Sequence, residues 1–175
     1  MSSTVAHPRL AHWRHLAGRF FSSLSRHQPD ITDEAWARMH LLPGEQAVWR
    51  RMSAPDRRHA IGVAQRTVHA LGTSASRPVV AAALLHDCGK VEARMGTFAR
   101  VGATLWAGVI GRERAVQGRG RVARYLRHDL AGELLLQAAG SDPLTVAWAG
   151  EHHRPRSEWT VPQPVADALK AADDD

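Results

Sequence analysis

Sulfur, lysine and strand-forming patterns are all scarce in this chain. It has a single cysteine, Cys88. No internal disulfide can form, and a lone thiol suits a reducing compartment, so a cytoplasmic location is expected. No apolar run approaches the ~20 residues that a membrane helix needs, and no charged-then-apolar leader opens the sequence. No span of the membrane is therefore expected. Sustained period-two alternation of β-branched residues is missing, which argues against a sheet. Lys90 and Lys170 are the only two lysines; the remaining basic residues are arginines, a bias that reads as codon composition.

What is present is helical and rich in histidine. The 175 residues include 11 His and carry a formal charge of +6. That length favours one domain with a real core. Charge is uneven: residues 91–127 hold eight Arg against two Glu, whereas residues 128–175 hold three basic against nine acidic residues. The basic middle could attract phosphates or nucleic acid. Aromatic residues are sparse there, so a solvated surface is the favoured reading.

Apolar residues recur at helical spacing. Residues 8–27 predict a first helix, with Leu10, Trp13, Leu16, Phe20 and Leu24 on one face. Thr32 is a candidate N-cap for the next. Pro43-Gly44-Glu45 opens another, and Pro55-Asp56 starts the helix that carries His59. Residues 72–76 read as a loop. Pro78 stands in the first turn of a helix leading to His86, and Gly89 ends it. Residues 90–127 are broken by glycines. Helices are further expected over 123–139, from Ser141-Asp142-Pro143 to His152-His153, and over 164–172. The expected class is all-α, a compact helical bundle with side chains converging from several helices.

The run Ala82-Ala83-Leu84-Leu85-His86-Asp87-Cys88-Gly89-Lys90 places costly polar groups at the end of an apolar helix. Buried polar groups need partners, and a metal ion pairs His with Asp strongly. His59 precedes this pair; His128, His152-His153 and Asp173 follow it. In that order the pattern resembles the HD-domain superfamily of metal-dependent phosphohydrolases, over roughly residues 40 to 175. The resemblance implies an HD domain over 41–175, with 1–40 as a helical extension packing on it. It implies that His59, His86, Asp87 and Asp173 hold one metal. It further implies that Asp87 bridges to a second ion, held by His128 and by His152, His153 or both. The cofactor would be one or two divalent ions from among Mn, Fe, Co, Ni, Mg and Zn. Asp167 competes with Asp173 for the last ligand position, since both fall on the final helix. After His152-His153 comes Arg154-Pro155-Arg156, not the Gly-Tyr-Pro of the cyclic-dinucleotide branch, so that substrate is not implied.

The expected reaction is hydrolysis of a phosphomonoester or phosphodiester, of a nucleotide, by metal-activated water. Lys90 and Arg154 are candidates for contacting phosphate, and Asp129 for orienting His128 or moving a proton. Cys88 is read as packing and Glu45 as structural. His69 is read as exposed, and His7, His12, His15, His27 and His40 as surface residues. Trp106 is a candidate for base stacking or a lid. Three other functions stay open: a catalytically silent metal- or nucleotide-binding module, an HD-type di-iron oxygenase, and a nucleic-acid-binding protein using residues 91–127.

Overall fold

The computed structural model describes residues 28–93 and 128–175, and within them the fold is all-α. The expected helix over 8–27, residues 94–127 with Trp106 and most of the Arg-rich segment, and His7, His12, His15 and His27 lie outside the described residues. In chain order the helices are α1 (Ile31–Met39), α2 (Pro43–Arg51), α3 (Ala54–Leu71), α4 (Arg77–Leu85), α5 (Lys90–Ala93), α6 (His128–Ala138), α7 (Pro143–Glu151) and α8 (Gln163–Asp174). Short 3-10 turns cover Gly72–Ser74 and Arg156–Glu158. No described helix is long and apolar enough to cross a membrane.

Local sequence explains where these helices begin. Proline occupies the first turn of α2, α3, α4, α7 and α8, where its missing N–H costs nothing. Ser53 accepts from the Asp56 N–H to cap α3, and Asp142 accepts from the Leu144 N–H to cap α7. The cap of α1 is Asp30, not Thr32: the Thr32 N–H and hydroxyl both donate to the Asp30 carboxylate. At α2 an apolar Leu42 stands in the cap position, and the buried Glu45 carboxylate takes its N–H instead. That structural role matches the reading of Glu45.

Helix α4 is the centre of the bundle. Every residue from Val79 to Leu85 is buried, and a helix that is apolar all round needs neighbours on all sides. It packs between α3 and α7, while α8 lies on α3 and α6 on α7. Trp49, Trp148, Leu136 and Leu169 are buried in the same core. Helix α1 joins it through Ala37 and through Glu34, which accepts from the Trp49 indole N–H at 2.7 Å.

One close approach fixes where α6 sits. A Cβ placed on Gly89 would overlap the His128 carbonyl oxygen and stand 2.6 Å from the Gly132 nitrogen. The turn after α4 therefore rests directly on the backbone of α6. Gly132 lies in turn against Cys88 Sγ and Ala149 Cβ. Only bare backbone at Gly89 allows His128 to stand this close to Asp87.

Candidate metal centre

Seven side chains converge at one end of α4: His59 from α3, His86 and Asp87 after α4, His128 from α6, His152 and His153 after α7, and Asp173 from α8. Two histidine–carboxylate groups share Asp87. One joins His59 and His86; the other joins His128, His152 and His153. Asp173 closes the first, with Oδ1 3.0 Å from His59 Nε2 and 3.5 Å from His86 Nε2. Asp167, its competitor in the sequence, is partly exposed and bound to Arg156 at 2.6 Å. Of the two carboxylates on the final helix, Asp173 is thus the one that lies beside the cluster.

Adjacent helical residues point about 100° apart, so two ligand pairs in sequence need local breaks. The structure supplies both. Helix α4 stops at Leu85, and the tight turn that follows is closed by Cys88 N–H to Leu85 O and Lys90 N–H to Asp87 O. Helix α7 stops at Glu151, leaving His152 as its cap and bringing the His152 and His153 rings to 4.0 Å between centroids.

The residues present suit a divalent cation on three counts. First, His86 Nδ1 lies 2.8 Å from the Ala83 carbonyl and His152 Nδ1 lies 3.1 Å from the Trp148 carbonyl. A carbonyl can only accept, so each Nδ1 carries a proton and each Nε2 is turned inward toward the cluster. Second, His86 Nε2, Asp87 Oδ1 and His152 Nε2 are buried and make no hydrogen bond. Such groups are costly unless something pairs them. Third, the spacing is that of ligands: His86 Nε2 to Asp87 Oδ2 is 3.4 Å and His128 Nε2 to Asp87 Oδ1 is 3.3 Å. Two atoms about 2.1 Å from one tetrahedral ion stand about 3.4 Å apart.

Electrostatics agree with the geometry. Burial opposes charge on Asp87, but the Lys90 ammonium and His86 outweigh it and hold the carboxyl well below the usual carboxylate range. Asp173 is likewise lowered, by the His59 ring at 3.0 Å and the His86 ring at 3.5 Å, which outweigh its burial. Burial, reinforced by His153 and His86, keeps His152 well below the usual histidine range. Burial works against a proton on His86 too, but Asp87 and Asp173 together raise it to about 10. A metal ion held there would take that proton's place.

The remaining candidates separate. Lys90 is paired with Asp87 Oδ2, and Asp129 Oδ1 lies 3.1 Å from His128 Nε2. Arg154 is exposed, its carbonyl accepting the Trp159 indole N–H, so its side chain stands at the surface of the turn. Cys88 is buried in packing, with burial pushing its thiol up to about 12. His69 is exposed as expected, whereas His40 is half-buried against the Trp36 ring.

Two supporting residues escape a reading of the sequence. Arg66 donates from Nε and Nη2 to the Ala172 carbonyl, at 3.0 and 2.8 Å. It thereby ties down the last turn that presents Asp173. Its signal was available: Arg66 follows His59 by two helical turns and shares its face. Buried Glu151 accepts from the Thr160 N–H, the Thr160 hydroxyl and the Val161 N–H, pinning the loop that leaves His153. A carboxylate directly after the apolar Trp148-Ala149-Gly150 was the corresponding hint.

No protein-family model matches this sequence, and neither the curated proteins nor the solved structures yield a match.

Proposed function

We propose that this chain is a metal-dependent phosphohydrolase of the HD-domain kind, cleaving a small phosphate ester of a nucleotide. One observation carries the reading: two histidine–carboxylate groups share Asp87, and at their junction the buried His86 Nε2, Asp87 Oδ1 and His152 Nε2 make no hydrogen bond. Divalent ions held there would lower the pKa of a bound water and neutralise phosphate oxygens.

The chain's own residues have distinct tasks in this scheme. Asp87 offers Oδ2 toward His86 and Oδ1 toward His128 and His152, so one ionised carboxylate serves both groups. His86 and His152, oriented by backbone carbonyls, keep their Nε2 atoms aimed inward. Lys90 is less deeply buried than Asp87 and paired with it, which puts a compact ammonium at the edge of the cluster. There it can meet a phosphate oxygen as a point charge. The ordered resemblance to the HD superfamily supplies the reaction class and the nucleotide.

The test is phosphate release from a panel of nucleotide mono- and diesters in the presence of Mn²⁺, with metal content measured on the purified protein. Turnover abolished by Asp87→Ala is the expected result. Bound metal without turnover on any phosphoester redirects the reading to a silent binding module. Bound iron with oxygen uptake redirects it to an oxygenase. Protein that binds no divalent ion defeats it.

A further inference from the structure

Three atoms crowd around one ring nitrogen in the second group. His128 Nε2 has Asp129 Oδ1 at 3.1 Å, His153 Nε2 at 3.2 Å and Asp87 Oδ1 at 3.3 Å. A ring nitrogen carries at most one proton and can make one such hydrogen bond. Three hydrogen bonds at that atom are therefore excluded, and one of its neighbours is itself a ring nitrogen. All three distances are instead those between neighbouring ligands of one cation. Asp129 Oδ1 also lies 4.0 Å from His153 Nε2.

We propose that Asp129 is a direct ligand of the second metal ion, not merely an orienting or proton-moving group. The proposal rests on the metal-centre reading above. It makes the two sites alike: His59, His86, Asp87 and Asp173 offer two nitrogens and two carboxylates, and so do His128, His153, Asp87 and Asp129. His152 Nε2, 3.9 Å from Asp87 Oδ1, stands between them. A third carboxylate also improves charge balance. Counting the Lys90 ammonium beside Asp87, two dications with Asp87 and Asp173 alone leave three uncompensated charges; Asp129 leaves two. An oxygen-richer second site suits harder ions such as Mn²⁺ or Fe²⁺ better than a site with Asp87 as its one carboxylate does.

The decisive measurement is a Co²⁺ titration of metal-stripped protein, followed by calorimetry and by visible absorption. The wild type and the variants Asp129→Asn and Asp129→Glu are compared, with circular dichroism as the check on folding. The wild type is expected to bind two ions. Asp129→Asn is expected to keep the first within about threefold and to weaken the second by at least about tenfold, a change in the range that lost metal-site partners produce. Asp129→Glu, which keeps a carboxylate, should recover part of the second affinity. Two ions bound by Asp129→Asn with wild-type affinities would overturn the role of Asp129 and leave the metal centre standing. So would a wild type that binds one ion only. A wild type that binds none defeats the metal-centre reading itself, so the two failures are told apart.

Discussion

Replacing Gly89 by alanine adds one methyl group at the most crowded point of the fold. Gly89 does not have a positive φ, so the penalty is steric and not conformational. The new Cβ would overlap the His128 carbonyl oxygen and lie 2.6 Å from the Gly132 nitrogen and 2.8 Å from the His128 carbonyl carbon. All three are backbone atoms of α6. Non-bonded carbons pack at about 3.5–4.0 Å, so the turn and the helix must part by about 1 Å. Overpacking a core usually costs about 1–3 kcal/mol, and a rigid backbone neighbour puts this case at about 3 kcal/mol. Gly62→Ala is the internal control. Its nearest neighbour is the end of the Arg66 side chain at 3.2 Å, which can swing aside. Inside an 18-residue helix that substitution removes the backbone-entropy cost of glycine, a gain of about 0.5 kcal/mol after the contact adjusts. Urea unfolding of the metal-stripped proteins should therefore place the two variants about 3–4 kcal/mol apart, with Gly89→Ala the weaker. Parting α6 from the turn also carries His128 away from Asp87, so Co²⁺ affinity should fall in the same variant. A Gly89→Ala protein within 1 kcal/mol of wild type would refute the reasoning, because α6 could then not be seated on that turn.

Three further outcomes follow from particular contacts. Arg66→Ala removes two charge-assisted hydrogen bonds to the Ala172 carbonyl and should cost about 1.5–3 kcal/mol in urea unfolding. It should also loosen the turn that presents Asp173, and unchanged metal affinity would show that the turn holds without it. Asp173→Asn should weaken Co²⁺ binding at least tenfold, while Asp167→Asn, whose carboxylate meets Arg156 at the surface, should leave it unaltered; equal effects would return the choice between these residues to the start. Cys88, fully buried and with its thiol raised to about 12, should resist alkylation at neutral pH until the protein is unfolded. Rapid labelling of native protein would contradict the packing of α6 on the turn.

The helices were legible because their signals are local. Prolines in first turns and apolar residues at helical spacing depend on neighbours in sequence, and α2, α3, α4, α7 and α8 begin within two residues of where those signals point. Residues brought together at the centre were legible for a different reason. Buried histidine and aspartate at the ends of apolar helices are expensive, so their presence in series marks a shared partner. What remained hidden depends on how close two elements come. Nothing local to Gly89 distinguishes a helix stop from a platform for α6. Nothing local to Asp129 shows that its carboxylate reaches the same ring nitrogen as Asp87 does.

The same distinction explains why adjacent residues enter the cluster in pairs twice. In a continuous helix His86 and Asp87 would diverge, as would His152 and His153. Each pair instead straddles a helix end, where the chain turns and both side chains can face one point. Helix ends leave backbone groups without intrahelical partners, and here the last carbonyls are put to use. Ala83 holds Nδ1 of His86, the Trp148 carbonyl accepts from the His152 N–H and also holds its Nδ1, and Ala172 is held by Arg66. The fold thus orients its inward nitrogens with main-chain atoms that cannot be removed by a side-chain substitution. Loss of a single ligand should therefore empty one position without collapsing its neighbours, which is why stepwise metal titration of single variants can resolve the two halves of this centre.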